Sequence, residues 1–254
     1  MPSTSSLAAS RRHEILLSIL DTDGAIELST AANRLDVSEM TIRRDLAELE
    51  TAGLVRRVRG GATRAPSGPR SFATREAQSR SAKRIIARKA ASLAPEKGAV
   101  GIDASTTAAV LARLLAPRKR ISFVTNSWST FSILRETPGT DASLTGGTAD
   151  PTTGSLVGPL SCRGAGAFSY RAFFTSASAV DPQLGSTDVS LDEAQVKQEF
   201  ARSSDSVILL ADSSKFHQRD LARSFSWDQI DVLVTELDPN STRLDAYREL
   251  VAIL

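Results

Sequence analysis

The sequence predicts an α/β chain in two parts: a small helical head, then a larger domain built on a mostly parallel sheet. Two observations carry this. Residues 11–61 read as three short helical patterns closed by a Gly-Gly hairpin. After a Pro-, Gly- and Ser-rich stretch at 65–70, short apolar runs alternate with helical stretches. β-rich runs separated by helices argue a parallel sheet covered on both faces.

In the head, Ile15, Leu16, Ile19 and Leu20 recur at helical spacing and predict a first helix from Arg11 to Leu20. The polar residues before it read as a frayed lead-in, and Asp21 to Gly24 as its stop. Ser29 and Thr30, both suited to capping, open a second helix that ends at Leu35. Asp36-Val37 is a tight turn, Ser38 an N-cap, and Glu39 to Thr51 the third helix. Gly53 is placed to end that helix in the left-handed region. Leu54 to Val58 alternates apolar and Arg positions as a strand, and Gly60-Gly61 turns a hairpin. Together these elements make a winged helix-turn-helix at 1–64, followed by a linker at 65–75 and a second domain at 76–254.

The second domain is expected to open with a long helix from Glu76 to Leu93. Strands follow at Ala99–Ile102, Ile121–Val124, Ala142–Leu144, Ala172–Phe174, Val207–Leu210 and Val232–Val234. Helices are expected at Thr107–Leu115, Trp128–Arg135 and Leu191–Arg202, with Trp128 and Phe131 in the core.

Composition excludes several classes. The chain has 254 residues, 41% hydrophobic and 24% charged, with net charge +2, ordinary values for a globular protein able to bury one or two cores. Cys162 is the single cysteine, so neither an intramolecular disulfide nor a thiolate metal site is available. His13 and His217 lie far apart, which argues against a histidine metal centre. No metal or cofactor is expected. No apolar run approaches the ~20 residues of a membrane helix, and the N-terminus lacks the apolar core of a secretory signal. A cytoplasmic protein is expected.

Chemistry concentrates in two places. On the third helix, Ile42, Leu46 and Leu49 share one face, while Met40, Arg44 and Ala47 point away from it with Thr41 and Arg43 flanking. A buried stripe backed by exposed arginines suits the DNA major groove, where Arg forks onto guanine edges. Ser38 and Thr41 at the helix start can meet phosphate or bases. The wing adds Arg56, Arg57 and Arg59, with Arg64 beyond, and no acid lies between Ala52 and Arg64. These residues predict an interface with duplex DNA.

The second place is the set of strand ends. Ligands of open α/β sheets bind beyond the carboxyl ends of strands. Ser105, Thr106 and Thr107 follow one predicted strand and open a helix; Thr125 and Asn126 do the same one unit later. Helix N-termini of this kind suit a phosphate. Gly146 and Gly147 would let backbone approach a ligand closely. Lys215 is placed to meet phosphate charge, and Asp103 to accept from sugar hydroxyls. Glu193 and Lys197, at four-residue spacing, also read as an ordinary surface pair.

The stretch RRHEILLSIL…LSTAANRLDVSEMTIRRDLAELETAGLVRRVRGGA resembles the head of DeoR-family bacterial repressors. Their pattern is VSxxTIRRDLxxLxxxGL followed by a Gly-Gly-Ala wing. Val37, Ser38, Thr41, Ile42, Arg43, Arg44, Asp45, Leu46, Leu49, Gly53 and Leu54 match it. Ala31 stands where a larger Leu is usual, and Asp36 where Gly is usual; Asp tolerates the left-handed region better than most residues. The rest of the chain resembles the family too. The Asp103–Thr107 turn, Thr125-Asn126-Ser127, Gly146-Gly147, Thr153-Gly154, Gly158-Pro159, Glu193…Lys197 and Asp212–Phe216 carry the likeness. It implies a ribose-phosphate-isomerase-like sensor domain that binds phosphorylated sugars, with Glu193 among its site residues. Ser105 replaces a usual Gly, and Ser176, Ser178 and Ala179 replace a run of glycines and an acid. An isomerase needs a placed general base, so the Ser178 replacement argues against turnover.

The expected function is a non-enzymatic repressor of a carbohydrate-catabolism operon, released from its operator by a phosphorylated sugar and acting as a homo-oligomer. The alternatives are a sugar-phosphate isomerase with a DNA-binding appendage, and an architectural DNA-binding protein whose second domain only dimerises.

Overall fold

The computed structural model describes residues 4–51, 54–64 and 71–254. The chain divides into two compact units, 1–79 and 80–254.

In the first unit, α1 (Thr4–Asp23), β1 (Ala25–Glu27), α2 (Leu28–Leu35), α3 (Glu39–Thr51), β2 (Val55–Val58), β3 (Gly61–Arg64) and α4 (Phe72–Ala77) follow in order. Leu16, Leu20, Ala31, Ile42, Leu46, Leu49 and Ala62 form its core. Asp36 adopts φ 50°, ψ 50° and closes α2, as its tolerance of that region predicts. Ser38 accepts from the Thr41 amide at 3.2 Å and so caps α3. The hairpin β2–β3 gains β1 as a third, antiparallel strand, in the order β1-β3-β2. Gly61 makes this pairing possible, since a Cβ there would overlap the carbonyl oxygen of Ile26.

Several expectations are corrected. α1 extends back to Thr4, so residues 4–10 of the expected lead-in are helical. β1 was not expected, because a three-residue strand with one buried side chain has no periodicity to detect. α2 begins at Leu28, and Ser29 and Thr30 do not cap it: both hydroxyls donate to the Glu27 carboxylate, at 3.1 and 2.9 Å. The expected helix from Glu76 to Leu93 is two helices, broken where Ser79 takes φ 48°. Residues 71–75, expected in the linker, form the cap and first turn of α4, with Ser71 accepting from the Thr74 amide at 3.2 Å. The remaining linker at 65–70 and the stop at Gly53 lie outside the described residues.

The second unit opens with α5 (Arg80–Ala90), β4 (Gly98–Ile102), α6 (Thr106–Leu115), β5 (Ile121–Thr125), α7 (Trp128–Arg135) and β6 (Asp141–Leu144). A short hairpin of β7 (Thr148–Ala149) and β8 (Leu156–Val157) precedes α8 (Pro159–Gly166). Then come β9 (Tyr170–Ser176), β10 (Ala179–Asp181), β11 (Gly185–Asp188), α9 (Leu191–Arg202), β12 (Val207–Leu210), β13 (Ala222–Phe225), β14 (Val232–Val234) and β15 (Ala252–Ile253). Seven strands form one parallel sheet in the order β15-β14-β12-β9-β4-β5-β6. The order reverses between β4 and β9, the place where a crevice opens in sheets of this type.

Alternating side chains feed two cores. Val100, Ile102, Phe174, Ile208 and Leu210 pack with Ile86, Leu111 and Leu134 of α5, α6 and α7. Phe173, Leu209 and Leu233 pack with Ala165, Val196 and Phe200 of α8 and α9 on the other face. Strands β10, β11 and β13 form a separate antiparallel sheet. Gly185-Ser186-Thr187-Asp188 is wholly buried yet lacks an apolar residue, which left it invisible to apolar patterning. Trp128 is 61% exposed, correcting its expected place in the core; it sits at the first turn of α7, tilted against Phe131.

Candidate nucleic-acid interface and ligand site

The predicted reading face is presented by α3. Ile42, Leu46 and Leu49 are buried, while Met40 is 73% exposed and Arg43 and Arg44 point to solvent. Asp45, between these faces, is buried and fixes the helix. Arg12 of α1 forks onto its carboxylate, Nε at 2.8 Å and an Nη at 3.0 Å, and His13 Nε2 lies 3.2 Å away. The hydrogen bond that Arg12 donates to Asp45 raises the Arg12 pKa despite the opposing effect of burial. Asp45 matched the motif but carried no predicted role, because its partners lie more than thirty residues away.

The three wing arginines separate. Arg57 is tied to α3: its amide donates to Glu50 at 2.8 Å and its guanidinium lies 3.0 Å from the same carboxylate. Arg56 and Arg59 are exposed and have no ion-pair partner among the described residues. Replacing both with Gln is expected to flatten the dependence of duplex affinity on salt by about 0.9 logarithmic units for each phosphate no longer neutralised. Replacing Arg57 is expected to act through wing position. Anisotropy titrations across a salt series check this, and an unchanged slope in the double variant would place the wing away from DNA.

In the second unit the sequence-predicted residues other than Glu193 lie at or just after the carboxyl ends of β4, β5, β6 and β12. Asp103 directly follows β4, with no exposure at all. One oxygen accepts from the Ser105 amide at 2.9 Å, and the other from Thr175 Oγ1 at 2.9 Å and the Ser176 amide at 2.8 Å. It therefore ties β4 to β9 at the reversal point of the sheet and shapes the turn that follows. Ser105 caps α6 by accepting from the Ala108 amide at 3.1 Å; its φ of −81° needs no glycine. Thr106 and Thr107 are buried in the first turn of α6, where helix amides have no intrahelical acceptor.

Thr125 and Asn126 are likewise buried at the end of β5. Thr125 Oγ1 accepts from the Ser127 amide at 3.1 Å. Asn126 is locked to β8, its Nδ2 donating to the Leu156 carbonyl at 3.1 Å. That contact fixes the amide orientation and leaves Asn126 Oδ1 buried without a partner among the described residues. Gly146 has open space where a Cβ would stand. Gly147 differs: a Cβ would lie 2.6 Å from the Val157 carbonyl, so its close approach is to the chain itself. Lys215, half-buried in a 3-10 turn after β12, follows Asp212, which caps that turn.

Glu193, in the first turn of α9, accepts from Ser155 Oγ at 2.6 Å. Lys197, one turn on, is no surface residue. It is buried, donating at 2.7 Å both to the Ser176 carbonyl and to Asp188, with Asp103 at 3.5 Å. Burial pushes its ammonium pKa down, but Asp188, Asp103 and Glu193 push it up further, and the net shift is upward. A cationic Lys197 is neither a nucleophile nor a general base. Asp188 also accepts from Ser224 Oγ of β13. Sequence reading named Lys197 and missed Asp188, Ser155 and Thr175, which become partners only through the fold. A cleft of about 410 Å³ opens at the opposite end of the sheet, beside Val207, and none of the candidate residues lines it.

Comparison with known proteins follows the same division. Residues 12–67 match the DeoR-like helix-turn-helix domain, and residues 78–237 match the DeoR C terminal sensor domain. The chain is 34% identical over 239 residues to the HTH-type transcriptional regulator GlpR of Haloferax volcanii, covering 92% of this chain and 93% of that protein. It is 32% identical over 249 residues to the lactose phosphotransferase system repressor of Lactococcus lactis, covering 96% and 97%. With the glycerol-3-phosphate regulon repressor of Haemophilus influenzae it shares 29% identity, covering 89% of each. Ribose 5-phosphate isomerase A from Neisseria gonorrhoeae aligns with 54% of this chain and 53% of its own, at 19% identity and a TM-score of 0.38, a likeness that bears on neither activity nor ligand. These relatives are named regulators and repressors, not enzymes. Among the described residues no helix is long and apolar enough to cross a membrane.

Proposed function

Since the chain belongs to the DeoR family of transcriptional regulators, we propose that it represses a carbohydrate-catabolism operon and leaves its operator when a phosphorylated sugar binds. The observation that carries the DNA half is α3, whose buried stripe is backed by an exposed face bearing Arg43 and Arg44. Ser38, Met40 and Thr41 at its start contact bases or phosphate, and Arg56 and Arg59 hold the backbone. A homodimer on paired half-sites is the expected assembly.

The ligand half rests on the strand ends. The first turns of α6 and α7 supply amides for a phosphate, and Lys215 adds charge. Asn126 Oδ1 is an acceptor in need of a donor, which a sugar hydroxyl provides. Asp103 and Glu193 act by holding the surrounding turns. Release requires the sugar phosphate to bind the DNA-incompetent state more tightly than the competent one.

Duplexes selected by the parent protein from a random pool test the DNA half. Arg44→Ala is expected to weaken their binding by about 1–3 kcal/mol, the worth of a forked base contact. Unchanged affinity for Arg43→Ala and Arg44→Ala alike would remove α3 from the reading role. A thermal-shift panel of sugar phosphates tests the other half: one of them is expected to raise the melting temperature and to lower affinity for the selected duplexes. A ligand that is turned over would instead support the isomerase reading.

A further inference from the structure

Between Glu76 and Glu96 the sequence carries Arg80, Lys83, Arg84, Arg88 and Lys89 and no acid. α5 sorts these residues. Lys83 is buried, and Lys89 donates to the Thr235 and Leu237 carbonyls at 2.9 and 2.8 Å. Arg80, Arg84 and Arg88 are exposed, with no ion-pair partner among the described residues. Their four-residue spacing puts all three on one helix face, about 6 Å apart along the axis.

This ladder works against the helix that carries it. Like charges at four-residue spacing repel, and Arg80 sits at the first position of α5, the positive end of the helix dipole. Only Arg88, in the last turn, is placed where the dipole favours a cation. Several arginines elsewhere are matched: Arg43 with Glu39, Arg44 with Glu48, Arg113 with Glu136, Arg202 with Glu199 and Arg248 with Asp245. Three unmatched arginines on an acid-free helix are what a regular array of anions would complement. In a duplex each strand presents a phosphate about every 3.4 Å of axis, so side chains of this length at this spacing can each take one.

We infer that the Arg80–Arg84–Arg88 face of α5 is a second, sequence-independent DNA contact, taking the phosphate backbone of a duplex. It rests on the DNA-binding reading above. It adds to the winged head a contact from the sensor unit, which begins with this helix.

The test uses the full chain and a random-sequence duplex, titrated by fluorescence anisotropy across a salt series. In the Arg80→Gln/Arg84→Gln/Arg88→Gln variant the salt slope is expected to fall by about 0.9 for each phosphate no longer neutralised, with mass in sedimentation unchanged. Its melting temperature is expected to equal or exceed that of the parent, because repulsion is relieved. An unchanged slope in this variant, beside a lowered slope in Arg56→Gln/Arg59→Gln, would overturn the inference and leave the head reading intact. A drop in sedimenting mass would overturn it too, assigning the face to a second copy of the chain. No binding of any duplex by the parent protein would defeat the DNA reading itself.

Discussion

Asp45→Ala is expected to cost the first unit about 3 kcal/mol, the lower end of the range for breaking a buried ion pair by removing one partner. The lower end applies because Arg12 keeps 22% of its side chain exposed, against 3% for Asp45, and water can recover part of its hydration. Loss of the carboxylate strands two guanidinium donors and the His13 contact at one point, and with them the register between α1 and α3. For a unit of this size each kcal/mol moves the melting temperature by about 4–8 °C, so the drop should be plain in a thermal scan. Affinity for duplex is expected to fall with it, although Asp45 is too buried to touch DNA. Arg12→Ala should reproduce both effects, since the carboxylate then loses its principal partner. Unaltered melting in both variants would show that packing alone holds α3 in place.

The second large effect is expected at Asp103. Its replacement by Ala leaves the Ser105 and Ser176 amides without their side-chain acceptor, at about 1–3 kcal/mol for each buried group, and leaves the Thr175 hydroxyl only the Ser176 carbonyl at 3.2 Å. Lys197 also loses one of its two carboxylate neighbours. The second unit should be destabilised by several kcal/mol, and any sugar phosphate that raises the parent's melting temperature should no longer do so. Lys215→Ala separates the two consequences. Lys215 is half-buried and makes no ion pair among the described residues, so its loss should abolish the ligand response while leaving unliganded stability unchanged. A full ligand response in both variants would place the binding site elsewhere. An unaltered melting temperature in Asp103→Ala would remove the carboxylate from its organising role.

The second unit is expected to lose stability at alkaline pH, which melting temperatures measured across an alkaline pH series check. The Lys197 pKa is raised on folding, so its contribution to stability is complete below the ordinary lysine value and is lost as pH climbs through the raised one.

What the sequence determined by itself was set locally. The α3 helix was legible from the Ser38 cap, the Ile42–Leu46–Leu49 spacing and the Asp36 turn, each using residues within a few positions of one another. β4, β5, β6, β9, β12 and β14 were legible as apolar runs, and their alternation with α6, α7 and α9 as the mark of a mostly parallel sheet. The arginines of the reading face and the hydroxyls at the strand ends came with their elements. Tertiary structure alone decided which polar groups meet. Asp103 finds Thr175 across 72 positions, Asp45 finds Arg12 across 33, and Glu193 finds Ser155 across 38. The packing of elements far apart in sequence brings these pairs together, and no periodicity records it. The same cause divides the wing, sending Arg57 to Glu50 and leaving Arg56 and Arg59 exposed. It also buries Lys197, which four-residue spacing alone leaves indistinguishable from a solvated pair, because burial depends on what packs over a helix face as well as on the residues along it.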